Sequence, residues 1–207
     1  MKKNPVVYKN MREIVDPSHT ALVLWDVQDA LVNVIFNRQE FLLNLKTLTD
    51  AARKHGVPVI YTKITPLPLS WESSFRLYMQ MKRSHVDSLD KLRPFPQAGS
   101  PEAEINGEVK PLEGDIVLDK HTASIFVGTH FENLMKNAGI TTILFTGIST
   151  EFGISSSARD AANRGFYPVV VEDCVSSSVR DMHEAALKTM AIVSIVVPSA
   201  DIIREWA

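Results

Sequence analysis

Six short apolar runs constrain this chain more than any other feature. They are Ala21–Val27, Pro58–Thr62, Asp115–Leu118, Thr142–Phe145, Tyr167–Val171 and Val193–Val197, and most are rich in valine and isoleucine. A strand with one face in water alternates apolar and polar residues, whereas a strand buried on both faces of a parallel sheet is apolar throughout. Helical periodicity fills the gaps. Phe41, Leu42, Leu45, Leu48 and Ala52 recur at helical spacing behind Asn37 and Glu40, a capping-box pair. Thr129 and Glu132 repeat that pattern ahead of Phe131, Leu134 and Met135, with Gly139 as the stop. Arg159, Asp160 and Arg164 fall on a third helix, and Ser178 with Asp181 opens a fourth through Ala185, Ala186 and Met190. Strands separated by helices imply right-handed crossovers. The expected fold is therefore α/β: a single three-layer α/β/α domain over residues 1–207, Rossmann-like, with a mainly parallel six-stranded sheet. A chain of 207 residues is long enough to give such a domain a core of its own.

Residues 66–113 break the alternation. More than half of the chain's 11 prolines lie there, around a helix-periodic run from Trp71 to about Arg83 that carries Trp71, Phe75, Tyr78, Met79 and Met81. A stretch this long inside a compact domain is a lid, a subunit contact or disorder, and the aromatic residues argue against disorder. It is expected to shape the substrate pocket, an interface, or both. Trp71, Phe75, Arg76 and Tyr78 are candidate substrate contacts, the guanidinium because it suits a carboxylate bidentately. An aromatic stripe at helical spacing more often belongs to a core or a subunit interface, and that reading stands beside the first.

Several function classes lose support. A net charge of −2 offers no electrostatic case for nucleic acid or an anionic membrane. The one cysteine, Cys174, rules out an intrachain disulfide and a cysteine-built metal site, and reads as a small buried apolar residue. The six histidines lack ligand spacing, and no Gly-x-Gly-x-x-Gly or Walker-type loop occurs, so no metal and no cofactor is expected. No apolar stretch reaches transmembrane length and Met1–Pro5 carries no signal-peptide core, which makes a cytoplasmic location and a small-molecule substrate the expectation.

Chemistry is expected outside the carboxyl ends of the strands. Asp26 ends the run Leu22-Val23-Leu24-Trp25, where a carboxylate is partly desolvated and so prepared as a general acid or base. Lys120 ends Ile116–Lys120; if it meets Asp26, its ammonium favours the ionised carboxylate and can fix a substrate oxygen. The strand Thr142–Phe145 breaks at Gly147 and turns into a helix, whose N–H groups suit an anion or a developing oxyanion. Ile148 to Gly153 is the candidate donor platform, with Ile148, Ser149 and Phe152 as substrate contacts. His121, next to Lys120, is a candidate for the pocket wall or an ordinary solvated loop histidine.

Taken together, Ala21–Gln28, Val117–Phe126 and Gly147–Ala161 resemble the isochorismatase-like (cysteine hydrolase) superfamily, which includes isochorismatases, nicotinamidases and carbamoyl-amide hydrolases. The likeness runs in order from about Ala21 to Val197. It implies that Asp26 is the catalytic aspartate, Lys120 the catalytic lysine and Gln28 a pocket-lining residue, that a cis peptide joins Ile148 to Ser149, and that the protein is a homo-oligomer, a dimer or tetramer. The amidase branches of that family place a nucleophilic cysteine six residues after the motif glycine; here that position is Gly153, and Ser155, Ser156 and Ser157 are turned to other faces of the helix start. The nicotinamidase Asp-x-His metal pair is also missing, its place taken by Thr62-Lys63-Ile64-Thr65-Pro66. True isochorismatases share the glycine and cleave a vinyl ether with no covalent intermediate. The implied mechanism has Asp26 protonating the enolpyruvyl methylene carbon, water adding to the ether carbon, and the hemiketal collapsing to pyruvate and a dihydrodiol. Lys120 would hold a carboxylate or the departing oxygen, and Gly153 would leave room for the ring or the water. Two alternatives stay open: a hydrolase of another small amide or carbonyl compound that uses activated water, and an inactive family member serving as a binding subunit.

Overall fold

The computed structural model describes residues 7–92 and 96–207. Its strands are β1 Thr20–Trp25, β2 Val59–Ile64, β3 Ile116–Lys120, β4 Thr142–Ile148, β5 Tyr167–Ser176 and β6 Ile195–Val197. They form one sheet in the order β3-β2-β1-β4-β5-β6, parallel throughout. Among the described residues the α-helices are α1 Met11–Ile14, α2 Asp29–Val32, α3 Arg38–Lys54, α4 Ser74–Arg83, α5 Phe131–Asn137, α6 Ser155–Asn163, α7 Arg180–Met190 and α8 Ser199–Trp206.

The two faces of β1 explain its unbroken apolar run. Leu22 and Leu24 join the core beneath α3 and α8, with Phe41, Leu45, Leu48, Ile202 and Trp206. Ala21, Val23 and Trp25 join the core beneath α5, α6 and α7, with Phe131, Met135, Ala158, Ala161, Ala186 and Met190. Each of the larger buried side chains contributes on the order of 1.5–3 kcal/mol by leaving water, and the result is one domain of three layers. Helix α8 has no counterpart among the expected helices, since eight residues show barely two turns of periodicity; Trp206 Nε1 ties it to Val15 O at 2.7 Å.

Three caps differ from expectation; at α7 the capping position is held by Val179 rather than Ser178, and no side chain caps the helix. The Asn37 side chain does not cap α3, because its Oδ1 accepts from Ser176 Oγ at 2.5 Å and binds the helix start to β5 instead. At α5 the residue in the capping position is His130, and Thr129 Oγ1 accepts from the Phe131 N–H at 3.2 Å.

In the 66–113 segment, whose residues 93–95 lie outside the description, a single helical turn at Leu69–Trp71 precedes α4, and Ser73 Oγ accepts from Arg76 N–H at 3.4 Å to start it. The far end returns to the turn after β1. Asn106 N donates to Val27 O at 2.9 Å, Asp29 N to Glu104 O at 3.0 Å, and Asn106 Nδ2 to Asp29 Oδ1 at 2.6 Å.

Neighbouring β1 and β4 lead to crossovers on opposite sides, which opens a crevice at their carboxyl ends. Gly147 makes the close pairing there possible. Its φ is +114°, and a methyl group on it would overlap the Trp25 backbone. Gly147→Ala is therefore expected to cost about 3 kcal/mol or more, from left-handed strain plus overpacking. A urea titration reads this as a lowered midpoint at unchanged slope.

Candidate active site

Asp26 stands immediately past β1 at φ +48°, a left-handed conformation that aspartate tolerates better than bulky residues. That turn points a fully buried carboxylate across the ends of three strands. Oδ1 accepts from Thr62 Oγ1 at 2.5 Å, Oδ2 accepts from Lys120 Nζ at 2.6 Å, and the Asp26 N–H donates to Thr62 Oγ1 at 3.0 Å. So β1 supplies the carboxylate, β2 the hydroxyl and β3 the ammonium. Burial raises the Asp26 pKa above the ordinary carboxylate value and lowers that of Lys120 to about 8. The short contact between them favours both charges and opposes these shifts, and burial is the larger influence on each.

Lys120 uses its ammonium inside the fold. Besides Asp26 it donates to Thr122 O at 3.2 Å, and Nζ lies 3.5 Å from the centroid of the Trp25 ring. Those three contacts engage the ammonium, whose side chain is fully buried. In this arrangement the ammonium acts directly on the charge and position of Asp26.

The strand β4 runs into a cis Ile148–Ser149 peptide and a π-helical turn, Thr150–Ile154, ahead of α6. The N–H groups of Phe152 and Ile154 both donate to Ser149 O, at 3.3 and 3.1 Å, so one of the expected platform donors, Phe152, is already engaged. Gly153 is buried against the Trp25 indole. A methyl group there would overlap Cη2, Cζ2 and Cε2 of the ring. The room expected at Gly153 for a substrate ring or a water is filled by tryptophan.

A cavity of about 400 Å³ opens beside Asp26. Of the residues anticipated from sequence, Asp26, Ser149, Phe152, His121, Phe75 and Arg76 line it. Lys120 and Gly153 do not, and neither do Gln28, Ile148, Trp71 and Tyr78. Gln28 is buried, with Nε2 donating to Ala103 O at 2.7 Å and to Ile64 O at 3.3 Å, while Oε1 accepts from Ile64 N–H at 2.8 Å. Its amide is saturated by backbone, so it latches the 66–113 segment to β2 rather than meeting a ligand. Ile148 is buried in β4, and Trp71 is 77% exposed. Arg76 is partly committed, donating to His121 O at 3.0 Å and pairing with Glu72 at 3.4 Å. His121 Nδ1 meets Thr65 O at 2.6 Å; a carbonyl only accepts, so Nδ1 carries the proton.

Four contributors escaped the sequence reading as site residues: Thr62, Trp25, Thr122 and Arg83. Strand register could have found Thr62, which ends the run beside Asp26, but nothing local ties Trp25 to Gly153. Arg83 ends α4 on the cavity wall, its guanidinium 5.8 Å from the Phe152 ring centroid, and it pairs with no carboxylate among the described residues. Phe75 and Met79 of α4 line the same wall. The described residues include no cluster of three His, Cys, Asp or Glu side chains able to hold a metal. No helix among them is long and apolar enough to cross a membrane. Cys174 is buried, and burial pushes its thiol pKa well up. The arrangement can deliver or accept one proton at Asp26, with the resulting charge held by Thr62 and Lys120, in a crevice that also offers cationic and aromatic contacts.

The family model described as the isochorismatase domain matches residues 20–201. The isochorismatase family protein YwoC of Bacillus subtilis is 28% identical over 183 residues, covering 84% of this chain and 86% of that one. The ureidoacrylate amidohydrolase RutB of Pseudomonas savastanoi pv. phaseolicola is 26% identical over 190 residues, covering 82% and 76%. A crystal structure of a cysteine hydrolase from Pseudomonas syringae pv. phaseolicola superposes with a TM-score of 0.80 at 20% identity, covering 100% of this chain and 98% of that one, a likeness of fold.

Proposed function

Because the chain belongs to the isochorismatase family of hydrolases, we propose that it acts on a small, carboxylate-bearing compound without a metal and without a covalent intermediate, and that a vinyl ether of the isochorismate type suits it best. The observation that carries this reading is the buried Asp26–Lys120 contact of 2.6 Å beside the cavity, together with the absence of any side chain at residue 153. By the family resemblance, residue 153 is where the amidase branches carry their thiol.

Vinyl ether cleavage starts with protonation at carbon, a slow step that needs an acid shielded from water. Asp26, its pKa raised by burial, gives its proton to the terminal methylene carbon. Positive charge then develops on the ether-bearing carbon, and water adds there. The hemiketal collapses to pyruvate and a dihydrodiol, and a proton from the added water restores Asp26. The carboxylate left by the first transfer is held by Thr62 and Lys120, which keeps the acid strong enough to act. Arg83 meets a substrate carboxylate, with Phe75 and Phe152 against the ring.

One observation favours a second reading: the similarity to a protein named as a ureidoacrylate amidohydrolase. There an ionised Asp26 would take a proton from water, and the water oxygen would attack an amide carbonyl. A homo-oligomer and a cytoplasmic location belong to the same proposal. Trp71, Phe75 and Tyr78 are 77%, 70% and 57% exposed along one segment, an aromatic surface of the kind interfaces use.

Incubation of the purified protein with isochorismate tests the leading reading, with pyruvate followed by a coupled dehydrogenase. Pyruvate release supports it. Ammonia released from ureidoacrylate instead moves the assignment to the second reading, and inertness toward both with tight binding of either points to a binding subunit. On the substrate that is turned over, Arg83→Ala is expected to raise KM about 10–100-fold with kcat little changed, the loss of one charge-assisted carboxylate contact.

A further inference from the structure

Trp25 is 3% exposed and joins the core cluster that includes residues of α6. Its six-membered ring covers the backbone of Gly153, close enough that any side chain there would interpenetrate Cη2, Cζ2 and Cε2. The same indole carries the Lys120 ammonium 3.5 Å from its centroid, and Lys120 holds the carboxylate of the very next residue, Asp26. The indole N–H meanwhile finds no acceptor among the described residues. A buried donor without a partner destabilises the fold, so hydrogen bonding does not account for tryptophan here; the position of its ring does.

We propose that Trp25 is the specificity-determining residue of this site: its indole takes the volume that a side chain at residue 153 would need, and so confines the site to hydrolysis by water. This rests on the reading that the reaction has no covalent intermediate, and it adds the physical reason. Glycine at 153 and tryptophan at 25 are two halves of one packing unit, although 128 positions separate them. A thiol at 153 cannot be accommodated while the ring stays. With the ring replaced by a small aliphatic group, that thiol would lie beside the Lys120 ammonium, a neighbourhood that stabilises a thiolate.

Four proteins test this without any substrate: the wild type, Gly153→Cys, Trp25→Val, and the double variant. Gly153→Cys alone is expected to lower Tm by about 5–10 °C through overpacking. Trp25→Val alone lowers it by leaving a cavity. The double variant is expected to lose at least about 4 °C less than the sum of the two, the mark of direct coupling. The second readout is alkylation by iodoacetamide at pH 7, mapped by peptide mass. The introduced thiolate attacks the methylene carbon, the S–C bond forms, iodide leaves with its electron pair, and the thiol proton passes to solvent. Alkylation at position 153 is expected to be at least about tenfold faster in the double variant than in Gly153→Cys, with the buried Cys174 unmodified as internal reference. Additive Tm losses, or fast alkylation with Trp25 still present, overturn the proposal. If the double variant does not fold, the gentler cycle of Gly153→Ala with Trp25→Leu reads the same coupling. Failure of the wild type to turn over isochorismate or an amide would count against the proposed reaction and leave these two readouts standing.

Discussion

Asp26→Asn is expected to reduce turnover by about 10²–10⁴-fold, the usual contribution of a positioned acid or base, while the protein stays folded. The amide keeps one oxygen to accept from Lys120 Nζ, 2.6 Å from the carboxylate, and turns its NH2 toward Thr62 Oγ1, 2.5 Å from it, which can accept; it cannot give up a proton to substrate. Asp26→Ala removes those acceptors as well. It leaves a buried ammonium facing only Thr122 O and the Trp25 ring, and a buried hydroxyl without its acceptor. Breaking a buried ion pair from one side costs about 3–5 kcal/mol, so Asp26→Ala is expected to lose both activity and much of its stability. Comparison of the two variants by steady-state kinetics and urea unfolding separates the chemistry from the fold. Asp26→Asn with wild-type turnover would remove Asp26 from the mechanism.

The second large effect belongs to Lys120 and needs no substrate. Burial brings its folded-state pKa from 10.5 down to about 8, whereas the unfolded chain keeps the ordinary value. Between about pH 8 and 10.5 the unfolded chain therefore binds more protons than the folded one, so this group makes stability rise with pH across that window. The rise is on the order of 3 kcal/mol. Lys120→Met is expected to abolish it and, at pH 7, to destabilise by about 3 kcal/mol by stranding Asp26. Asp26→Asn/Lys120→Met recovers most of that loss, since neither group is then charged. Lys120→Met also raises the Asp26 pKa further, because the opposing cation is gone. If Asp26 acts as an acid, the alkaline fall of the pH–rate profile moves to higher pH in this variant. A loss of rate at neutral pH with no such movement would favour a base.

The sheet was legible because strands buried on both faces leave unbroken apolar runs, and β1 and β4 are clear examples. The pairing of Asp26 with Lys120 was legible for a related reason: two charged residues each end such a run, and strand ends in a parallel sheet converge. Other features depend on packing between distant residues and leave no local trace. Gln28 follows Asp26 closely in sequence, yet its amide turns to the backbone of Ile64 and Ala103, because a segment about 75 positions further on returns there. Arg76 was singled out for its bidentate fork, but Glu72 and the His121 carbonyl engage it, while Arg83 at the helix end is left to face the cavity. Gly153 reads in sequence as empty space, and the bulk that fills it belongs to another strand.

The charge pair also guards the outermost strand against sliding. Lys120 lies opposite Ile64 and Asp119 opposite Lys63 along β3, whose outer edge has no neighbour in the sheet among the described residues. A slip of one residue would bring the Asp119 carboxylate toward the position of the Lys120 ammonium, and an attraction in the interior would become a repulsion. The contact that holds the Asp26 carboxylate thus also penalises misalignment of a strand free to misalign on its open side.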